Sequence, residues 1–185
     1  MKIQLKNVQI QDRQSEETTA FTASLYINNH RVGYAKNSGK GGCTDYGLDD
    51  YHDEKAKELL KEAEEFCLSL DPLKLPSMDG EKPITIPMNL EHFIDEMVDE
   101  VWDEKEKKRF KNKIKKDQEN GLLIGNDKQY RKITWSKKNS TYSIEELLAS
   151  EIGKLSIKTT VKKYKKTMLP EERILNTNIP ADLLT

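Results

Sequence analysis

The sequence has little of what marks a secreted, disulfide-stapled or membrane-spanning protein. Only two of its 185 residues are cysteine, Cys43 and Cys67. A secreted disulfide framework uses more thiols in a shorter chain, and two cysteines without C-x-x-C spacing form neither a zinc cage nor a redox pair. No apolar run approaches the about 18 residues that point to a spanning helix. The opening MKIQLKNVQIQDRQ has no apolar h-region of the kind a secretory signal carries. Aromatic residues make up 7% of the chain and hydrophobic ones 35%, against 34% charged. That charged share exceeds the usual quarter or so, which predicts a modest core beneath a heavily solvated surface. These absences lead to the expectation of a cytoplasmic protein with reduced thiols and no membrane partner.

Net charge is also nearly absent, at -1 overall, but the balance hides a division. Residues 1–104 hold 11 basic and 22 acidic side chains, and residues 105–185 hold 20 basic and 10 acidic. Such asymmetry fits either two halves that neutralise each other or a basic surface for an anionic partner.

Periodicity predicts one α+β domain over residues 1–185, with strands first, helices in the middle and mixed elements last. Its parts are a hairpin region with a glycine loop (1–47), an acidic-to-basic helical region (48–120) and a basic β-α-β region (121–185). KIQLKNVQI alternates as a strand with a bulge near Lys6–Asn7. FTASLYI places Phe21, Ala23, Leu25 and Ile27 on one face. Asn28-Asn29 then supplies the positive φ angles of a type I′ turn into RVGYA. From Asp50 to Leu70 the period lengthens to 3.6, with Ala56, Leu59, Leu60, Ala63, Phe66, Cys67 and Leu70 in one stripe. Asp49 or Asp50 is the expected cap of that helix. Asn89 caps a second helix that either runs to about Lys116 or breaks near Asp103. Ser143 and Glu146 form a capping box for a third helix, which Gly153 is expected to end. KLSIKTTVKKYKK reads as a closing strand. The predicted architecture is an N-terminal antiparallel sheet packed on two amphipathic helices, with a C-terminal strand-helix-strand unit.

Several clusters carry candidate chemistry. In the loop Asn37-Ser-Gly39-Lys40-Gly41-Gly42, free backbone N–H groups could cradle a phosphate, with Lys40 adding charge and Thr44 and Tyr46 close behind. The order matches neither G-x-x-x-x-G-K-[ST] nor G-x-G-x-x-G, so a structural turn or a protein-contact loop are the competing readings. Asp45, Asp49, Asp50, His52 and Asp53 offer oxygen and imidazole donors, but their spacing fits no calcium loop, and carboxylates suit a helix start anyway. Of the histidines, His30, His52 and His92, none stands in H-E-x-x-H, and no G-x-S-x-G occurs. No catalytic residue, metal ligand or cofactor is therefore assigned.

The basic segment 105–166 includes Lys108, Arg109, Lys113 and Arg131, interleaved with Tyr130, Trp135 and Tyr164. Charge for phosphates and rings for bases is what single-stranded nucleic acid would use, and a solvated lysine-rich face is the plainer alternative. Acidic helices at 49–65 and 91–106 could in turn imitate nucleic-acid phosphates.

EETTAFTASLYINNHRVGYAKNSGKGGCTDY resembles a pattern in small uncharacterised proteins of tailed phages and prophages, carried here by Glu17, Thr18, Gly33, Asn37, Gly39, Gly41, Gly42 and Tyr46. The resemblance covers about residues 1–47. It implies a phage accessory protein that binds and inhibits a host protein or nucleoprotein complex, plausibly in anti-defence. Phosphate or nucleotide binding through the 37–42 loop and nucleic-acid binding through the basic segment are the alternatives.

Overall fold

A computed structural model describes residues 1–75 and 83–185. The chain is α+β and divides into two compact units, Met1–Lys105 and Glu106–Thr185, where the sequence reading treats 1–185 as one domain. Among the described residues, no helix is long and apolar enough to cross a membrane.

The first unit is built on an antiparallel meander of β1 (Ile3–Ile10), β2 (Phe21–Ile27), β3 (His30–Asn37) and β4 (Asp45–Leu48). Its turn forms as the sequence predicts: Asn28 and Asn29 have φ of 49° and 66°, the left-handed pair that matches strand twist in a type I′ hairpin. The bulge in β1 falls between Lys6 and Gln9, with Asn7 at φ 54°. β4 has no counterpart in the sequence reading, because its four residues are too few to show a period. It lies so close to β3 that a Cβ on Gly33 would land on the Gly47 carbonyl oxygen.

The inward face of the sheet carries Phe21, Leu25, Ile27, Val32 and Ala35, all buried. They share one core with Ala56, Ala63 and Cys67 of α1 (Glu54–Leu68). The α1 cap is Asp53, whose side chain accepts a 3.0 Å hydrogen bond from the Ala56 amide, not Asp49 or Asp50. Those two are engaged elsewhere: Asp50 accepts from the His52 amide at 2.8 Å, and Asp49 pairs with Arg31 at 2.8 Å. β5 (Leu73–Leu75) and β6 (Ile84–Ile86) form a short antiparallel pair. α2 (Leu90–Asp117) begins at Asn89, which accepts from the His92 amide at 2.7 Å. It runs without a break at Asp103, and its Leu90, Ile94 and Val98 close the first core.

In the second unit, β7 (Leu122–Gly125) pairs with β8 (Tyr130–Ile133), and the small pair β9 (Ser136–Lys137) and β10 (Ser140–Thr141) follows. Leu122, Leu123 and Ile124 have no exposed surface. The capping box of α3 (Ile144–Leu148) is present in full.

The strand expected over KLSIKTTVKKYKK (154–166) is overturned. Residues Glu151–Lys165 form α4, capped by Ser150, which accepts from the Gly153 amide at 3.1 Å. Gly153 does not end a helix. It sits in the first turn of α4, where a Cβ would meet the Leu147 carbonyl. The buried residues Gly153, Ile157 and Val161 recur every four positions, whereas Leu155 is 66% exposed. Ile157 and Val161 pack with Leu122, Ile124, Ile144 and Leu147 into the second core. Short β11 (Arg173–Ile174) adds to β7. The buried Asn176 then serves the β7 backbone, accepting from the Leu123 amide and donating to the Gly121 carbonyl at 2.7 and 2.9 Å.

Candidate functional site

The glycine loop is held by hydrogen bonds made within the first unit. The Asn37 side-chain oxygen accepts from Thr18 Oγ1 at 3.0 Å and from the Gly39 amide at 2.8 Å. Its amide nitrogen donates to the Gly42 carbonyl at 2.9 Å and to Thr44 Oγ1 at 3.2 Å. The Gly39 carbonyl accepts from Glu16 and Glu17 at 2.9 and 3.0 Å, and the Gly41 amide donates to Thr18 Oγ1 at 3.3 Å. Gly39 and Gly41 have φ of 83° and 78°, which only glycine adopts without strain. Gly39 is also buried, and a Cβ there would meet the Gln14 carbonyl. Six of the eight residues of the N-terminal pattern, Glu17, Thr18, Asn37, Gly39, Gly41 and Gly42, are tied together by this knot, whereas Gly33 and Tyr46 lie outside it.

Two amides that a phosphate cradle would need are therefore used inside the loop. Thr44, buried at 5% exposure, is fixed to the first turns of α2: its amide donates to Glu91 at 3.0 Å and its hydroxyl to Asp95 at 2.5 Å. Lys40 and Gly42 are exposed, and Lys40 makes no ion pair among the described residues. Tyr46 lies half-buried on β4 and donates to Glu64 at 3.1 Å. Burial first, and Glu64 second, push its pKa up to about 12.

Beside the loop opens a cavity of about 420 Å³, lined by Thr18, Asn37, Glu16, Glu17, Asp95 and Asp99 among others. Burial raises the pKa of both aspartates, aided by Glu91 at Asp95 and by Asp103 at Asp99. Among the described residues, four carboxylates and no cationic side chain line it, so Coulomb repulsion opposes a phosphate there. Sequence reading missed this cavity, because its walls come from segments 15–21, 37–42 and 95–99.

The acidic cluster at 45–53 is spent on structure: Asp45 pairs with Lys36 at 3.1 Å, Asp49 with Arg31, and Asp53 with His30 at 3.3 Å while capping α1. Among the described residues, no group of three or more His, Cys, Asp or Glu side chains could hold a metal ion. Cys43 is exposed, and its thiol is raised by a hydrogen bond to Glu91.

The basic candidates lie in the second unit and differ in their engagement. Arg109 pairs with Glu106 at 2.7 Å, and Arg131 pairs with Glu172 at 3.1 Å with its guanidinium 5.8 Å from the Tyr164 ring. Lys113 lies 5.6 Å from the centroid of Tyr130. Tyr130 itself stacks edge-on against Phe110, and its hydroxyl donates to Asp117 at 2.6 Å. Lys108 alone of these four is exposed and uncommitted among the described residues. It shares a groove of about 390 Å³ with Lys111 and Lys115.

The chain matches no family model, no curated protein and no solved structure. The unit boundary at Lys105–Glu106 coincides with the change of charge. The first unit holds 12 basic and 22 acidic residues and the second 19 and 10, net charges of -10 and +9.

Proposed function

We propose that this chain is a non-enzymatic binding protein, a phage-type accessory product that engages a host protein or nucleoprotein complex in the host cytoplasm and blocks it. The observation that carries this reading is the placement of opposite net charge on two separately packed units. Charge of one sign concentrated on a unit steers a complementary partner and raises its rate of encounter. The glycine loop serves the reading as a rigid element, since Asn37 and Thr18 hold it from within. The alternative of nucleotide binding at that loop is less favoured, because the Gly39 and Gly41 amides are engaged and the adjoining cavity is acidic.

Affinity capture of the intact chain from host lysate, with and without nuclease and read by mass spectrometry, tests the proposal. A stoichiometric host protein that survives nuclease supports it and names the target. Prey lost on nuclease treatment support a nucleoprotein target. An empty capture counts against binding and returns weight to a small ligand at the loop.

A further inference from the structure

We propose that the Lys107–Lys116 half of α2 is a docking face for duplex nucleic acid, held through the phosphate backbone without base readout. This rests on the reading of the chain as a binding protein and names the chemistry of its partner.

Residues 107–116 contain seven basic side chains and no acidic one. Lys107, Lys108, Lys111, Lys115 and Lys116 are exposed and have no ion pair, hydrogen bond or ring contact among the described residues. On other helices Lys57 pairs with Glu54 and Lys154 with Glu151, while Lys158, Lys162 and Lys165 of α4 carry no ion pair among the described residues and make an internal control for uncommitted charge. At 3.6 residues per turn, Lys107, Lys111, Lys115 and Lys108 fall within an arc of roughly 100°, along about 12 Å of helix. Duplex DNA presents one charge per about 1.7 Å of axis, so such a row faces several phosphates at once.

The row works against the helix that carries it. Lys107 with Lys111, and Lys111 with Lys115, are like-charge neighbours at i,i+4, which destabilise a helix. The helix dipole accounts for cations only in the last turn, at Lys115 and Lys116. A polyanion supplies the counter-ions that the described residues do not. Asn112 joins the lysines in lining the groove, adding an amide of the kind that binds phosphate oxygens.

The rings decide against a single strand. Tyr130 is committed to Phe110 and Asp117, while Trp135 and Tyr164 pack against the second core. All three rings are only partly exposed, and Tyr142, the more exposed ring of this unit, has Lys137 4.9 Å from its centroid, so open faces for base stacking are few.

The test is fluorescence anisotropy of the full chain with a labelled duplex of about 20 base pairs and the matching single strand, between about 50 and 200 mM salt. Duplex affinity should fall about 10²-fold over that range, the slope of about four phosphate contacts, and be alike for unrelated sequences. Lys108→Glu/Lys111→Glu/Lys115→Glu should weaken binding more than about tenfold and lower the salt slope by about three. Lys158→Glu/Lys162→Glu/Lys165→Glu on α4, an equal charge change, should retain most of the affinity, with circular dichroism showing both variants folded. No duplex binding at low salt, preference for the single strand, or equal loss in the two variants overturns the docking face. If duplex binding is absent while a nuclease-resistant protein is still captured from lysate, the face falls and the binding-protein reading stands. If both are absent, both fall.

Discussion

Asn37 is the residue on which the loop depends, since one side chain satisfies Thr18, Gly39, Gly42 and Thr44. Removing it leaves partly buried donors and acceptors unpaired, each costing about 1–3 kcal/mol when water cannot replace the bond. Asn37→Ala should lower unfolding stability by about 2–3 kcal/mol in urea titration, with water recovering part of the loss. Lys40→Ala, at an exposed position three residues away, should stay within about 0.5 kcal/mol. Asp95 makes a prediction in pH. Its carboxyl is raised by burial, so the native state binds its proton more readily than the unfolded chain does. Stability from this group is greatest at acid pH and is lost as pH rises through the raised value. Asp95→Asn keeps an oxygen to accept from Thr44 and removes the buried charge. The variant should gain on the wild type at pH 7, and the gain should vanish as pH falls toward the ordinary aspartate value near about 3.9. A gain that grows on acidification would contradict the assignment. Asp53, lowered by the Ala56 amide first and by His30, has the opposite sign: its contribution is present above the ordinary value and lost as pH falls through the lowered one.

At the scale of elements, α4 separates helix from strand by a pair of substitutions. A strand would place Leu155 and Ile157 on one face, but the helix buries Ile157 completely and leaves Leu155 two-thirds exposed. Ile157→Ala should cost about 2–5 kcal/mol from lost transfer energy and the cavity left behind. Leu155→Ala should change stability by less than about 0.5 kcal/mol. Denaturant midpoints at constant slope would measure both, and equal losses would refute the helical placement. The elements also show how far local pattern can be read. β2 and its turn were legible because alternation over Phe21–Ile27 and the pair Asn28-Asn29 are decided within a few residues. The α1 cap was misplaced because Asp49, Asp50 and Asp53 are chemically alike. Only the bonds to Arg31 and His52 show which of them are occupied elsewhere. α4 was misread because Leu155, Ile157 and Thr159 alternate by chance with Ser156 and Lys158, and Ile157, Thr159, Thr160 and Val161 are β-branched.

At the scale of the whole molecule, the lysine row sets stability against binding. Lys111→Glu would replace repulsion with Lys107 and Lys115 by attraction to both. Each such i,i+4 pair contributes about 0.2–0.5 kcal/mol to a helix. The variant should therefore melt at a higher temperature than the wild type at low salt, with the gap closing as salt screens the charges. It should also bind duplex more weakly. A lysine row that served only the fold would not lose stability to keep its charge, so a lower melting temperature for Lys111→Glu would argue against a functional row. The division of charge belongs to this scale too. It was visible in the sequence as an excess of acid before residue 105 and of base after it, and the packing places the unit boundary at the same point.

The sequence by itself determined the α+β class, the hairpin and its turn, the bulge at Asn7, the cap at Asn89, the capping box at Ser143 and the polarity of charge. Each of these depends on residues within a turn or a strand of one another, or on composition alone. Tertiary structure decided the rest. Whether a glycine loop offers its amides depends on Thr18, nineteen positions from Asn37. The acidic cavity exists only because Glu16 and Glu17 come to line the same space as Asp95 and Asp99. Which cations remain uncommitted depends on where Glu106, Asp117 and Glu172 come to lie. Burial and pairing act through space, and a chain that folds back on itself brings together residues whose proximity no local pattern records.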